Sequence, residues 1–332
     1  MQFKECICNE PGYCRLYDRI MEADPPNWQW CQKTNALERE QFYKLLSKSP
    51  PKSKNIYRIV ATENLHEQTV KILSYIKQEK ISAIVGVPRS GMIAASLLSV
   101  YANLPLYSIS NNELFKLNAY SPNGGHRMSN YNQASDNFLF IDDTAYAGTE
   151  SKRLRDIFGS DIKIAVVYSA TRALQYVDYA AEILEPPHFL EWHFFNSPLV
   201  NNSIFDIDGI LCPNVPIDVT KQEDSYVSWI TNVEPLASRI PSMFKISKIV
   251  TGRLDIYRDV TERWLKTHGV KYDELIMFPT ERKKERDQDH FRVIGRFKGE
   301  IYASSKESHF VESELSEAAI MKEYTDKIIL YP

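Results

Sequence analysis

Residues Phe138-Leu-Phe-Ile-Asp-Asp-Thr-Ala-Tyr-Ala-Gly-Thr-Glu150 decide how this chain is read. The apolar run Phe138 to Ile141 predicts a short buried strand. Two adjacent carboxylates, Asp142 and Asp143, stand at its end. A small-residue turn of Thr144, Ala145, Tyr146, Ala147, Gly148 and Thr149 then leads into a helical pattern from about Ser151. Backbone N–H groups and hydroxyls in such a turn, aimed by a helix N-terminus, suit a phosphate. The carboxylates repel a phosphate, so they are expected to face hydroxyls or a metal. A phosphorylated sugar with a vicinal diol asks for both.

A second turn of this kind lies upstream. Thr62 to Lys80 has apolar residues at Leu65, Val70, Ile72, Leu73 and Ile76, spaced for an amphipathic helix. Ile81-Ser-Ala-Ile-Val-Gly-Val-Pro-Arg-Ser-Gly91 then reads as a strand entering a loop, and Met92 to Tyr101 as a helix. Gly91 lets backbone approach an anion, Arg89 brings charge and Ser90 a hydroxyl. A tight strand–helix turn with a solvated arginine is the plainer reading of the same residues. After the first stretch, Ser151 to Phe158 reads as a helix, and Ile162 to Tyr168 and Tyr179 to Leu184 as strands.

The Phe138–Glu150 segment resembles the signature of the type I phosphoribosyltransferases, and Val87 to Gly91 resembles their pyrophosphate-binding loop. The resemblance implies binding of phosphoribosyl pyrophosphate (PRPP) with Mg²⁺ by Arg89, Ser90, Gly91, Asp142, Asp143, Thr144, Ala145, Ala147, Gly148 and Thr149. The Ala147-Gly148-Thr149 ending is closer to the orotate branch than to the hypoxanthine–guanine branch, which has an acid where Tyr146 stands. The family has a mobile loop where Tyr107 to Asn137 lies, so Lys116, His126 and Arg127 are candidates to meet pyrophosphate. Its loss from the ribose separates charge, which pre-aimed cations stabilise while a closing loop excludes water. The aromatic-dense segment Glu185 to Phe195 is either the family's base-receiving hood or a covered domain junction.

A second pair of carboxylates opens the C-terminal part. Ser203-Ile-Phe-Asp-Ile-Asp-Gly-Ile-Leu211 places Asp206 and Asp208 on one side of a strand end, with Gly209 freeing the turn. Such a pair can hold Mg²⁺ while one acid attacks phosphorus and the other moves a proton. The DxDG form resembles the first motif of the haloacid dehalogenase (HAD) superfamily. Thr251 then matches its second motif, Lys298 its lysine, and the acids after Phe310 its fourth, with Glu312 and Glu314 competing for the metal. Lys283, Lys284 and Lys306 compete with Lys298. The run Thr251 to Met277 is similar to the phosphatase domain of polynucleotide kinases. The resemblance implies catalysis by Asp206, Asp208, Thr251 and Lys298, with Mg²⁺ on Asp206, Asp208 and Glu312. The short spacer from Leu211 to Lys248 predicts no large cap.

Four of the five cysteines, Cys6, Cys8, Cys14 and Cys31, crowd the N-terminus. In a reducing compartment such a cluster reads as a structural zinc site, with an iron–sulfur cluster or unligated thiols as alternatives. Trp28 and Trp30 are expected to pack this module onto its neighbour. Asn35 to about Ser49 has a charged helical pattern, and Ser49-Pro-Pro-Lys-Ser53 reads as a linker.

At 332 residues the chain is long for one core, and its formal net charge of −3 gives no basic footprint for nucleic acid. No apolar run reaches membrane-span length and the N-terminus lacks a signal-peptide core, so a cytoplasmic protein with small-molecule substrates is expected. A closed homodimer is the default assembly. The fold class expected is α/β: a Cys-rich module over residues 1–50, a doubly wound parallel-sheet phosphoribosyltransferase-like domain over 51–197, and a HAD Rossmann-like domain over 198–332. The expected function is transfer of phosphoribose from PRPP to a base or other nucleophile, then dephosphorylation of the product. A PRPP-sensing regulator and a phosphatase acting on nucleotides or nucleic-acid ends are the alternatives.

Overall fold

The computed structural model describes residues 55–117, 137–216 and 218–332. Cys6, Cys8, Cys14, Cys31, Trp28 and Trp30, the Asn35–Ser49 pattern, the Ser49–Ser53 linker, and His126 and Arg127 lie outside them. The described residues divide into two compact units, Tyr57–Ser197 and Pro198–Tyr331 with Ile56.

The first unit runs β1 (Ile56–Val60), α1 (Thr62–Thr69), α2 (Ile72–Gln78), β2 (Ala83–Gly86), α3 (Gly91–Ala102), β3 (Leu106–Ser110), β4 (Glu113–Lys116), β5 (Phe138–Ala145), α4 (Thr149–Phe158), β6 (Lys163–Ser169), β7 (Tyr179–Ile183), β8 (Phe189–Leu190) and α5 (Glu191–Phe194). Its main sheet is ordered β4-β3-β2-β5-β6-β7, parallel except for the antiparallel edge strand β4. A parallel sheet needs cover on both faces, and strand alternation shows how it is met. Ile84, Leu139, Ile141, Ala165 and Val167 pack with Leu65, Ile72 and Ile76 of α1 and α2 and with Ala94, Ala95 and Leu98 of α3. Their strand neighbours Val85, Phe140 and Ile164 pack with Leu154 of α4 on the other face. From β2 the chain crosses to β3 on one side, and from β5 to β6 on the other. The loops after β2 and β5 therefore diverge at a topological switch point, where an open α/β sheet leaves a crevice.

The second unit contains β9 (Ser203–Phe205), α6 (Glu223–Asn232), β10 (Ile246–Leu254), α7 (Arg258–Thr267), β11 (Tyr272–Phe278), α8 (Lys283–Gln288), α9 (His290–Ser304), β12 (His309–Val311), α10 (Leu315–Met321) and β13 (Ile328–Tyr331). Its strands lie in the order β11-β10-β9-β12-β13, all parallel. The pairing Val311↔Phe205 sets the ends of β9 and β12 side by side, so the residues that follow them emerge at a second switch point. Ile204, Val250, Phe310 and Ile329 form its core with Tyr302, Ala318 and Met321 from α9 and α10. Among its described residues the spacer before Lys248 forms α6 and two short 3₁₀ turns before β10 begins at Ile246. β10 continues past Thr251 to Leu254, with a register shift between those residues.

Candidate active sites

In the first unit the turn after β2 meets the acids of β5. Ser90 Oγ donates to Asp143 Oδ1 at 2.9 Å, and Val87 N–H donates to Ile141 O at 2.9 Å. A Cβ at Gly91 would lie 2.6 Å from Ile141 O and 2.9 Å from Asp142 Oδ1. Only glycine lets α3 start so close to the neighbouring strand. Arg89, whose peptide to Pro88 is cis, is exposed at the rim.

The two aspartates have separate environments. Asp143 is buried, and its Oδ2 accepts from Trp192 Nε1 at 2.6 Å and His193 Nε2 at 2.8 Å. Burial alone would raise its pKa, but the His193 and Trp192 donors hold the carboxyl below the usual range. Asp142 is partly exposed and accepts the Asp143 N–H at 2.9 Å. Desolvation and the adjacent Asp143 charge push it up to about 8. Both acids were expected to face a ligand. In this structure both oxygens of Asp143 are engaged by protein donors, and Asp142 is the one at the surface. Trp192 and His193 were not among the expected site residues. The available signal was their place in the aromatic segment, together with the need of a buried aspartate for donors.

The turn expected to hold a phosphate begins α4. Gly148 has φ +72°, and a Cβ there would fall 2.1 Å from the Tyr176 ring. Thr149 and Ala147 are exposed, Ala145 is buried, and Thr144 Oγ1 has no hydrogen-bond partner among the described residues. Two further cations flank the turn. The Arg172 guanidinium lies 3.9 Å over the Tyr146 ring and Lys152 Nζ 4.0 Å over the Tyr176 ring. Glu150, in the first turn of α4, pairs with Arg153 at 2.6 Å. Lys116 ends the edge strand β4, which β3 separates from β2.

In the second unit, Lys298 of α9 gathers three buried carboxylates. Its Nζ lies 2.7 Å from Asp206 Oδ2, 2.6 Å from Glu312 Oε2 and 2.7 Å from Glu317 Oε2. Oxygens of these acids lie within 4.8 Å of one another. Desolvation pushes Glu312 up to about 8 and Glu317 to about 7, against the pull of the ammonium. Asp206 is likewise raised by burial, and its three acidic partners hold the Lys298 ammonium charged despite desolvation. Glu317 was missing from the expected set. It sits in the first turn of α10, the helix that follows β12 and Glu312. Glu314 caps that helix by accepting from Ser316 N–H at 3.1 Å.

Asp208 departs from the expectation that it shares a metal with Asp206. Its carboxylate accepts from Arg253 at 2.9 and 2.6 Å, and Arg253 is almost fully buried. The reason is local. β9 ends at Phe205, and Leu211 and Cys212 N–H groups bond back to Ile207 O at 2.8 and 3.2 Å. Asp206 N–H still donates to Val311 O at 3.0 Å, but the chain turns after it, so strand alternation no longer aligns the two aspartates. Thr251 is buried, and its hydroxyl accepts from Arg253 N–H at 3.3 Å.

The oxygen donors of Asp206, Glu312 and Glu317 suit a hard divalent cation. The centre among them is taken by the lysine ammonium. What remains for an ion is Asp206 Oδ1 and Glu312 Oε1, which accept backbone N–H groups of Ile207 and Glu314 at 2.7 and 2.9 Å, and Glu317 Oε1, 3.7 Å from His290 Nε2.

No protein-family model matches the chain, and no curated protein matches it. Solved structures similar to it include a purine phosphoribosyltransferase from Pyrococcus horikoshii Ot3, at 15% identity, covering 43% of this chain and 97% of that one with a TM-score of 0.31. The Helicobacter pylori xanthine-guanine-hypoxanthine phosphoribosyltransferase is 18% identical, covering 42% and 94%, with a TM-score of 0.29. The orotate phosphoribosyltransferase from Aeropyrum pernix is 13% identical, covering 36% and 68%, with a TM-score of 0.27. Among the described residues no helix is long and apolar enough to cross a membrane.

Proposed function

We propose that residues 51–197 transfer phosphoribose from PRPP to a base or other nucleophile, and that residues 198–332 act as a HAD-type phosphatase on the product. One observation carries the first part: the Arg89–Gly91 turn and the Asp142–Asp143 strand end, 53 residues apart from Ser90 to Asp143, are joined by a hydrogen bond at a switch point. In this reading Asp142 grips the ribose diol. Thr144 and Ala145 at the end of β5 and the turn from Tyr146 to Thr149 receive the 5′-phosphate on the N–H groups opening α4, with Lys152 and Arg172 nearby. Arg89, Ser90 and Gly91 hold the pyrophosphate. Mg²⁺ bound with PRPP would supply charge neutralisation at the leaving group.

In the second part Asp206 attacks phosphorus and the alcohol leaves. Water then hydrolyses the aspartyl-phosphate, with Asp208 moving the proton and Thr251 and Lys298 on the phosphoryl oxygens. Asp206 and Glu312 would hold Mg²⁺, which supplies further charge stabilisation. A structural zinc on Cys6, Cys8, Cys14 and Cys31 completes the proposal. It is checked by metal analysis, where absence of both zinc and iron removes it.

The test is calorimetry with PRPP and Mg²⁺, followed by an assay for pyrophosphate release with a panel of bases. Release with one base supports transfer; no affinity for PRPP ends the reading. A second outcome is tight binding without turnover, which supports a PRPP sensor. Tyr146, standing where the hypoxanthine–guanine branch has an acid, fits that alternative. For the phosphatase, wild-type protein is expected to hydrolyse a nucleoside 5′-monophosphate and Asp206→Asn to lose that activity. Unchanged hydrolysis by the variant excludes the Asp206 mechanism.

A further inference from the structure

Attack on C1 of a phosphoribosyl donor by an N–H or O–H acceptor releases a proton. The bond from C1 to the pyrophosphate oxygen breaks with its electron pair leaving on pyrophosphate, the bond from C1 to the acceptor forms, and the acceptor's proton needs a base. Asp142 does not fit that role, because its carboxyl is pushed up to about 8 and holds its proton at neutral pH. Asp143 is buried, with both oxygens accepting hydrogen bonds. Arg89 offers donors only.

His193 is different. Its side chain is 43% exposed although its Nε2 lies 2.8 Å from a carboxylate that is 3% exposed. Asp143 is held ionised by its donors and can only accept, so Nε2 carries the hydrogen. That leaves the Nδ1 lone pair, which makes no hydrogen bond to the described residues. Trp192 Nε1 on the same Asp143 oxygen and Ser90 Oγ on the other fix the carboxylate that orients the ring. Ser90 also belongs to the turn proposed for pyrophosphate. A buried acid orienting an exposed imidazole, tied to the leaving-group turn, is the arrangement a general base requires.

We propose that His193 is the general base of the first unit, taking on Nδ1 the proton of an acceptor with an ionisable N–H or O–H, and that Asp143 is its positioning residue. This rests on the phosphoribosyl-transfer reading. Tyr146, standing where the hypoxanthine–guanine branch has an acid, offers no carboxylate for the task.

The experiment uses the full-length protein, PRPP, Mg²⁺ and adenine, guanine, hypoxanthine, xanthine, uracil and orotate in turn. His193→Gln keeps an N–H donor for Asp143 but has no base. It is expected to lower kcat at least about 100-fold, with the KM for PRPP changed by less than about threefold. His193→Ala is expected to recover part of its rate with added imidazole, which a merely structural histidine would not do. ¹⁵N-histidine spectra of the wild type should place the His193 hydrogen on Nε2. Wild-type turnover matched by His193→Gln, or a hydrogen on Nδ1, overturns the assignment and leaves the transfer reading intact. Failure of the wild type to bind PRPP or release pyrophosphate with any base overturns both.

Discussion

The indole N–H of Trp192 and the carboxylate of Asp143 are joined at 2.6 Å, tying the aromatic segment after β8 to the end of β5. A buried carboxylate is tolerated only when its lone pairs are occupied, so this bond is part of what allows an acid at the base of the crevice. Trp192→Phe keeps the ring's bulk and removes the donor. Loss of a hydrogen bond to a charged buried group costs about 1.5–3 kcal/mol. The variant is expected to melt several degrees lower than the wild type in a thermal scan. An unchanged midpoint would mean that Ser90 and His193 satisfy Asp143 alone.

Gly91 gives a second prediction. Its ideal Cβ position meets the backbone of β5, Ile141 O at 2.6 Å and Asp142 Cα at 2.9 Å, and neither atom can rotate away. Gly91→Ala must push α3 off β5 and stretch the bond between Ser90 and Asp143. Overpacking of this kind costs about 1–3 kcal/mol. Thermal denaturation should show the loss, and PRPP affinity by calorimetry should fall as well, because the displaced turn is the one proposed to hold the pyrophosphate. Ser90→Ala, which removes the bond without a clash, should weaken PRPP binding less.

Lys298 donates to three buried acids at once, and its replacement separates charge from packing. Lys298→Met retains much of the stem's volume and leaves Asp206, Glu312 and Glu317 without the ammonium. Breaking a buried pair by removing one partner costs about 3–5 kcal/mol. Below neutrality the carboxyls can take protons instead, so the loss should be smaller at pH 5.5 than at pH 8. Urea unfolding at both values checks this, and equal losses would show that the acids do not depend on the lysine for compensation.

Both acid-bearing strand ends were legible in the sequence because each is announced locally. An apolar run ends in adjacent or alternating acids, as at Phe138–Asp143 and Ser203–Asp208, and a glycine opens the turn that follows. What was not legible depends on tertiary partners. Nothing near Asp143 foretells that Trp192 and His193 close over it, because the contact spans 49 and 50 residues. The alternation rule also misled at Asp208: it assumes a strand, and β9 stops at Phe205, so the side chain turns to Arg253 rather than to the acids around Lys298. Glu317 was hidden for a related reason. Its spacing from Glu312 has meaning only once β12 is known to end at Val311 and α10 to begin at Leu315.

Glu317 also sets a pH dependence whose sign follows from burial. Desolvation raises its folded-state pKa from 4.5 to about 7, so between those values the folded protein keeps a proton that the unfolded chain has released. Its contribution to stability is therefore fully present below about pH 4.5, falls as pH rises through the window, and levels off above about pH 7. At 1.36 kcal/mol per pKa unit the full effect is about 3 kcal/mol. Glu317→Gln cannot titrate. In EDTA, which keeps metal out of the comparison, the variant should gain stability relative to the wild type as pH is raised from 5 to 7.5, whatever their difference at pH 5. Urea unfolding across that range gives the slope directly. Parallel curves would mean that Lys298 keeps Glu317 ionised throughout, and that burial is not the stronger influence on this carboxyl.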